Sequence, residues 1–553
     1  MTKPLHALAA LSLLIAPAAA PAKLAPPERK MAQTVDRETE RTIALLERMV
    51  NQNSGTLNLA GVEAVGRMVR AELEPLGFEM RWIPMAETGR AGHLFATHRG
   101  NGRGKRLLLI GHLDTVFEPD SPFQRFERQG DRATGPGIGD DKGGIAVIVA
   151  ALRAMHAAGT LKEADIVVAL TGDEEKPGAP LAAARRDLIE AGRWADVALE
   201  FENLVVDEGR DFATVARRSS SSWTVRTKGK TGHSSAVFGS ELGFGANYEL
   251  ARILDEFRRE LREPNLTYNV GVMGGGTPAE VDKDGVRIAA SGKTNIVAEA
   301  AIARGDLRSL TEEQDARARE RMRAIVARSL PATSAQIEFE ADGYPPMAPT
   351  AGNRAVLASL NAVNRDLGLA PMAEWDPAKR GAADISFVAR DTDGLAGLGA
   401  GGGLAHAPGE FVDLPTIPRQ ARRMAILMTR LSREPRGAGE GERGSPTAAV
   451  RLNEAARLGR LSITPMVLRE DSRCPRGVQC IQGGTVRVEA SVASGGRTEI
   501  VTLALGVPVR ALGTDIRLAG VCPYPVKDSE ITALQYRFTF ARGDEVVPSS
   551  GCD

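Results

Sequence analysis

The chain lacks any excess of charge. Its 553 residues include 70 basic and 70 acidic side chains, so the formal net charge at pH 7 is zero. Proteins that bind nucleic acid through its phosphates, or a membrane through a polybasic segment, carry a local or overall basic excess. The composition therefore indicates neither a nucleic-acid partner nor an electrostatic membrane anchor.

Cysteine is scarce, and its placement is uneven. The four cysteines, Cys474, Cys480, Cys522 and Cys552, all lie near the carboxyl end of the chain. Clustered cysteines of even number indicate disulfides in an exported protein, and four allow three pairings. Proximity favours Cys474 with Cys480 and Cys522 with Cys552. A zinc site is the competing interpretation, but the spacings contain no C-x2-C pair.

The amino terminus lacks an apolar run long enough to span a bilayer. Lys3 precedes the apolar stretch Ala7–Ile15, and small residues follow as APAAAPAK. This pattern predicts a signal peptide over residues 1–22, cleaved after Ala20 or Ala22, and hence a periplasmic or secreted protein. An uncleaved tether is the alternative. No cysteine lies near the cleavage site, so we expect no lipoprotein anchor and no stable membrane anchor after cleavage.

Side chains that suit metal ions follow the hydrophobic runs. The run LLLIG leads into His112, and a second run leads to GPGIGDDKGG with Asp140 and Asp141. We therefore expect the histidine and the pair of aspartates to lie where strands end. Active sites of open α/β sheets lie at the carboxyl ends of strands. Asp114, two residues beyond His112, faces the same side and would hold the imidazole in its ligating tautomer. A packed or capping histidine is the alternative for H-x-D alone.

Further carboxylates occur at similar positions. The run IVVAL ends in TGDEEKPG with Glu174 and Glu175, VAL leads to EFEN with Glu202, and a glycine-rich loop contains His406. Adjacent carboxylates beyond a buried strand repel each other unless a cation is present, although a solvated turn is the alternative. Imidazole and carboxylate ligands suit a pair of zinc ions, with one glutamate left free as a base.

The ordered motifs HLDTV, GIGDDKGG, TGDEEKPG, FEN, KTGHSS and GLAHAPGEFVD resemble the co-catalytic dizinc metallopeptidase family. That family includes glutamate carboxypeptidases, aminoacylases, acetylornithine deacetylase and succinyl-diaminopimelate desuccinylase. GPGIGDDKGG and DEEK are most similar to a glutamate carboxypeptidase. The resemblance implies a zinc-dependent carboxypeptidase that hydrolyses the amide bond of a C-terminal amino acid. The alternatives are an N-acyl amino acid amidohydrolase of the same fold and a binding protein without turnover.

The resemblance also implies two zinc sites with a shared ligand, built from His112, Asp140, Glu175, Glu202 and His406. Asp140 would bridge both ions, His112 and Glu202 would bind the first, and Glu175 and His406 would bind the second. Co²⁺ or Mn²⁺ in place of Zn²⁺ remains open.

Two choices within these motifs rest on the resemblance. Glu174 occupies the position of the family's general base. Asp114 is expected to support the site by orienting His112. Glu200 is an alternative to Glu202, which is preferred because it directly follows the aromatic Phe201. The second aspartate of the DDK motif, Asp141, is then expected to be structural.

Between Glu202 and His406 the pattern changes to β-α-β-β-α-β, including an apolar stripe at helical spacing from Leu250 to Leu261. The resemblance implies a ferredoxin-like α+β lid that forms a homodimer. His233 would reach the substrate carbonyl, although a solvated loop histidine is the alternative. Asn295 and Arg308 would hold the substrate carboxylate, for which guanidinium is suited; Arg304 is the competing candidate.

The predicted fold class is α/β, with a mixed-sheet zinc-exopeptidase catalytic domain, the inserted lid and a small C-terminal all-β domain. The segment REPRGAGEGERGSPTAA is rich in glycine, proline and charge and predicts a linker. Beyond it, strand-length alternating segments predict a β-rich domain that contains the cysteines. We interpret that domain as an accessory binding module, a stabilising appendage or a dimer contact. The boundaries are 36–212 and 341–432 for the catalytic domain, 213–340 for the lid, 433–449 for the linker and 450–553 for the β-rich domain.

Overall fold

The computed structural model describes residues 24–283, 285–436, 449–458, 461–475, 484–494, 497–527 and 531–542. The predicted signal peptide and most of the predicted linker lie outside these residues. The chain divides into two compact units, one of residues up to 312 together with 320–433, and one that includes residues 434–553. Over the described residues, no helix has both the length and the apolar character needed to cross a membrane.

A six-stranded mixed sheet forms the centre of the larger unit. Its first three strands pair antiparallel, and each later pair is parallel. The third and fourth strands are buried along their whole length, as expected where both faces of a sheet are covered. In order across the sheet, the strands are Glu79–Pro84, Gly92–His98, Ile166–Thr171, Leu107–His112, Val197–Glu200 and Gly394–Leu395.

Alternate residues of the central strand enter two different cores. Leu107 and Leu109 belong to the larger core, and Leu108 and Ile110 to the smaller one. Helix Gly144–Ala158 is apolar on nearly every side and is buried through its first twelve residues, as a helix enclosed by protein must be. The other helices of the larger core are Pro26–Arg37, Thr39–Asn51, Leu59–Leu73, Ala351–Asp366 and Thr416–Leu431.

Helix Arg186–Trp194 packs in the smaller core through Leu188, and the short helix Leu181–Ala184 precedes it. Two small sheets complete this part of the chain. One contains Gly402–Gly403, Phe411–Asp413, Arg132–Thr134 and Glu127–Gln129, and the other contains Ala373–Glu374, Arg210–Ala213 and Val205–Asp207.

The segment between Ser221 and Phe339 forms a separate antiparallel sheet with two helices. Leu250, Ile253 and Phe257 of the first helix are buried, in agreement with the apolar stripe. The strands across the sheet are Thr267–Tyr268, Ala300–Arg308, Ser221–Gly229 and Thr333–Phe339, with Val272–Gly276 also paired to Ala300–Arg308. The helices are Gly245–Glu260 and Glu312–Ala327, and a further hairpin contains Ala279–Val281 and Ile288–Ala290.

The described part of the C-terminal unit consists of two antiparallel sheets around a core that includes Val488, Ile516 and Phe538. Cys474 and Cys522 are both disulfide-bonded. Cys480 and Cys552 lie outside the described residues, so the pairing stays a prediction. One sheet contains Ala456–Leu458, Leu461–Asp471, Val486–Ser494 and Arg497–Ala504, and the other contains Pro508–Ala511, Thr514–Cys522 and Arg537–Arg542.

Candidate metal centre

His112 ends the central strand and is 1% exposed. Its Nε2 lies 3.0 Å from Oδ1 of Asp140. Its Nδ1 lies 3.1 Å from the backbone oxygen of Asp114 and 3.4 Å from the carboxylate of the same residue. Asp114 is fully buried, and its carboxylate also accepts a hydrogen bond from the hydroxyl of Thr56. Asp114 thus lies behind the imidazole, while Nε2 remains directed at the other candidate ligands.

The element that carries Asp140 is not the one that the sequence predicted. Asp140 lies in a kinked turn, Ile138–Gly143, in which Asp140 itself has a non-helical backbone (φ −117°, ψ 88°) and which leads into helix Gly144–Ala158; the preceding strand ends at Thr134. The expectation that this pair of aspartates follows directly on a strand is therefore wrong. The physical reason is the glycine-rich approach: Gly137 has a φ of 66°, a left-handed conformation that ends extended structure.

Five of the predicted residues converge in two groups that share Asp140. His112, Asp140 and Glu202 form one group, and Asp140, Glu175 and His406 form the other; within each group the ligand atoms lie within 4.8 Å of one another. Nε2 of His406 lies 3.2 Å from Oδ2 of Asp140 and 3.1 Å from Oε2 of Glu175. Each oxygen of the Asp140 carboxylate therefore faces a different histidine.

The donor set fits a pair of divalent cations. Oε1 of Glu175 is buried and has no hydrogen-bond partner among the residues that the structure describes. Burial opposes the charged form of Asp140, yet hydrogen bonds with His112 and His406 lower the pKa of its carboxyl. Imidazole nitrogen with carboxylate oxygen is the ligand chemistry of zinc sites, and Co²⁺ or Mn²⁺ also accepts it.

Among the described residues, Glu174 belongs to neither group. Its backbone N–H and that of Glu175 donate to the two carboxylate oxygens of Asp114, at 3.0 and 3.1 Å. Burial raises the pKa of the Glu174 carboxyl well above its usual range; the charges of Glu202 and Glu175 act in the same direction, and that of His112 acts against it. A carboxyl with a raised pKa beside the ligands is suited to accept and return a proton.

The carboxylate of Glu202, and not that of Glu200, joins the ligand groups. Glu200 is 1% exposed and accepts a hydrogen bond from the backbone N–H of Ile385. Nη2 of Arg217, a buried guanidinium, lies 2.6 Å from each of the two glutamates. Arg217 therefore compensates Glu200 and fixes the outer side of Glu202.

Glu410 is a supporting residue that the sequence did not reveal. It is 1% exposed, and its carboxylate accepts backbone hydrogen bonds from Gly137, Gly139 and Asp140 at 2.8, 2.8 and 2.9 Å. Lys142 is fully buried on the same turn and donates to the backbone oxygen of Pro136. The turn that carries Asp140 is thus held by two buried side chains, those of Glu410 and Lys142. The position of Glu410 shortly after His406 is the one sequence signal for it.

A second supporting network lies at the loop that carries Glu174. Arg185 is fully buried; its guanidinium lies 2.6 Å from Asp173 and 2.7 Å from Asp384, and it donates to the hydroxyl of Tyr344. That hydroxyl in turn donates to the backbone oxygen of Glu174, at 3.0 Å. The network holds the base in place through its backbone. No motif in the sequence linked these residues.

The three predicted substrate-binding residues lie on the inserted segment. His233 is exposed, and the backbone N–H of Ser234 donates to the backbone oxygen of Asn295, so His233 and Asn295 are neighbours. Arg308 pairs with Asp306 at 2.8 Å. Within the described residues, no hydrogen bond or ion pair joins these side chains to the ligand groups. Their roles stay predictions.

Residues 108–430 match the peptidase family M20/M25/M40. The chain belongs to this family. The resemblance to a metallopeptidase family inferred from the six motifs is thereby confirmed. It is 33% identical over 240 residues to carboxypeptidase G2 of Pseudomonas sp. (strain RS-16), which covers 43% of this chain and 56% of that protein. It is 34% identical over 199 residues to succinyl-diaminopimelate desuccinylase of Novosphingobium aromaticivorans, a match that covers 34% of this chain and 51% of that protein. The chain thus spans about half the length of these curated relatives.

Solved structures give the same fold at lower identity. The crystal structure of aminopeptidase PepT from Bacillus cereus has a TM-score of 0.58 and 18% identity, covering 71% of this chain and 99% of that one. The metallo-carboxypeptidase Sso-CP2 from Sulfolobus solfataricus has a TM-score of 0.52 and 16% identity, covering 71% and 99%. These likenesses support the mixed α/β family fold and leave the substrate open.

Proposed function

We propose that the protein is an exported dizinc carboxypeptidase that hydrolyses the amide bond of a C-terminal amino acid. The observation that carries the proposal is the pair of ligand groups sharing Asp140, with the free carboxyl of Glu174 beside them. His112 and Glu202 would hold one zinc ion, Glu175 and His406 the other, and Asp140 both.

The chemistry follows from the residues around this centre. When bound, two zinc ions lower the pKa of a water molecule and polarise the scissile carbonyl. Glu174 takes the proton of that water and returns it to the leaving amine, a step for which its raised pKa is suited. Asp114 keeps the Nε2 of His112 directed at the metal, and Arg185, through Tyr344, keeps Glu174 in place.

A free C-terminal carboxylate is the group by which the enzyme would select its substrate. Arg308 and Asn295 are the proposed carboxylate-binding residues, because a guanidinium binds a carboxylate in bidentate fashion. His233 would contact the substrate carbonyl. His233 is exposed, and in the described part of the chain its ring is bonded to Ser235 and to none of the ligands. We therefore propose that it acts on the site of a second copy, in a homodimer formed through the inserted lid.

The second candidate is an N-acyl amino acid amidohydrolase. The similarity to a succinyl-diaminopimelate desuccinylase, at 34% identity over 199 residues, favours it. Both reactions use the same amide-hydrolysing groups, so the residues that contact the substrate decide between them. A panel of dipeptides ending in glutamate, aspartate or a neutral residue, with matched N-succinyl and N-acetyl amino acids, separates the two by kcat/KM.

Export is proposed on the sequence alone. A basic residue, a short apolar stretch and small residues precede Pro26, where the first described helix begins. The cysteine-containing region agrees with an oxidising compartment. Amino-terminal sequencing of the protein recovered from the periplasm or the medium tests the cleavage after Ala20 or Ala22.

The decisive experiment compares Glu174→Gln with Glu175→Gln. Glu174→Gln is expected to keep both metals and lose turnover by about 10²- to 10⁴-fold, the usual cost of removing a general base. Glu175→Gln weakens a ligand and is expected to lose one metal. Metal content is measured by elemental analysis of each purified variant. Equal turnover of Glu174→Gln and the natural protein would refute the assignment of the base.

A further inference from the structure

A second cluster of charge lies in a cavity of about 450 Å³ in the larger unit. Its wall is formed by the hairpin of strands Val205–Asp207 and Arg210–Ala213, by the loop after helix Ala351–Asp366, and by helix Thr416–Leu431. None of the proposed metal ligands lines it. The lining residues that matter are Arg210, Asp211, Leu369, Pro371, Arg419 and Arg423.

The charges in this cavity do not balance. The lining contains three arginines and one aspartate, which leaves two positive charges in excess. Both oxygens of Asp211 are already engaged, one by Arg419 at 2.8 Å and the other by Arg423 at 2.5 Å. Within the described residues, the side chain of Arg210 has no ion pair or hydrogen bond, and Nε of Arg419 is buried without a hydrogen-bond partner.

The guanidinium group of Arg423 is also fixed in position. The side chain of Arg423 is 2% exposed, and its Nε donates to the side-chain oxygen of Asn364 at 2.7 Å. Burial lowers the pKa of Arg423, and the charge of Arg419 acts in the same direction against that of Asp211. An anion placed beside these groups reduces their repulsion, and it gains charge-assisted hydrogen bonds from Arg210 and from Arg419, whose guanidinium is already held by Asp211.

We propose that this cavity binds a small, doubly charged oxyanion, either a phosphate group or a dicarboxylate. The two charges of the anion match the excess of the lining. Guanidinium groups bind both kinds of oxyanion through paired N–H donors. Leu369 and Pro371 supply an apolar wall against which a short carbon chain can pack. The site is independent of the metal centre and of the proposed reaction.

Calorimetric titration of the full-length protein with inorganic phosphate tests the proposal. Phosphate can also bind a metal centre, so the titration is repeated with His406→Ala. Binding in the cavity is expected to survive His406→Ala and to weaken by at least about tenfold in Arg210→Gln/Arg419→Gln, because each lost charge-assisted hydrogen bond contributes at least that factor. The matched control is Arg67→Gln/Arg186→Gln, two exposed arginines outside the cavity, which is expected to bind phosphate as the natural protein does.

Thermal unfolding without phosphate checks that the double variant is folded. Because Arg210 is exposed, the single variant Arg210→Gln supplies the test if the double variant does not fold. A parallel titration with succinate distinguishes the two sources: displacement of phosphate by succinate assigns a site for dicarboxylates, and phosphate binding without displacement assigns a phosphate site. Loss of all phosphate and succinate binding in His406→Ala, or unchanged binding in the arginine variants, would overturn the proposal.

Discussion

Glu410 offers the sharpest test of how the metal centre is built, because over the described residues its carboxylate bonds to backbone N–H groups and to no ligand side chain. Its carboxylate accepts the N–H groups of Gly139 and Asp140 on one oxygen and that of Gly137 on the other. Glu410→Gln keeps the size of the side chain but places an amide NH₂ opposite at least one of these N–H donors. The turn can then no longer hold Asp140 in its present position.

The expected loss can be calculated in two ways. A hydrogen bond to a charged group contributes about 1.5–3 kcal/mol, and about 1.4 kcal/mol corresponds to a factor of ten in affinity. Losing one such bond therefore predicts a loss of about tenfold or more. Changes to residues that orient metal ligands typically reduce metal affinity or activity by about 10- to 100-fold. The two ranges agree, so we expect Glu410→Gln to bind zinc about 10- to 100-fold more weakly.

The assay is competition for zinc between the metal-free protein and a chelator dye, followed by kcat at saturating zinc. Excess zinc is expected to restore part of the turnover, since the ligands themselves are intact. The matched control is Glu374→Gln, which removes a carboxylate that pairs with Arg354 and is 39% exposed. Wild-type zinc affinity in Glu410→Gln would show that the turn keeps its shape without this carboxylate.

The remaining predictions concern the bridge, the lid and a buried ion pair. Asp140→Ala is expected to lose at least one metal by elemental analysis, and metal loss in Asp141→Ala alone would reverse the assignment within the pair. Arg308→Ala is expected to raise KM and lower kcat/KM more for substrates with a free carboxylate than for amidated ones. Arg304→Ala is the comparison. Equal effects of Arg308→Ala on both kinds of substrate would contradict its role in binding the carboxylate. Arg217→Met leaves the buried carboxylate of Glu200 and the partly buried one of Glu202 without their guanidinium partner, so chemical denaturation is expected to show a loss of about 3–5 kcal/mol in the free energy of unfolding. A change near zero would mean that water or protonation replaces the arginine.

The sequence predicted the ligands well because their positions follow from local pattern. A buried strand needs only a run of apolar residues, and the polar residue that ends it must lie at the edge of the sheet. His112 ends its strand, and Glu202 lies two residues beyond the end of strand Val197–Glu200. Asp140 does not follow this rule, because the glycines before it end the extended structure early. Its motif identified it, whereas the periodicity placed it in the wrong element.

The supporting residues could not be predicted, because the contacts that define them join distant parts of the chain. Glu410 accepts a hydrogen bond from the backbone N–H of Asp140, which lies 270 residues away in the sequence. Arg185 lies 199 residues from Asp384 and 159 from Tyr344. A charged residue in a loop has many exposed alternatives, and no local pattern distinguishes the one that is buried. Those assignments require the tertiary structure.

The distribution of basic side chains around the centre explains why its negative charge is left for metal ions. Arg217 neutralises Glu200 and the outer side of Glu202, and the buried Arg185 binds aspartates that belong to neither ligand group. Within the described residues, the carboxylates of Asp140 and Glu175 contact histidine and no lysine or arginine. A permanently charged arginine at that position would compete with a cation for the same oxygens, whereas a histidine can give up its proton and become a ligand. The fold thus compensates Glu200 and the outer side of Glu202 with Arg217, and within the described residues it leaves Asp140 and Glu175 without a lysine or arginine partner.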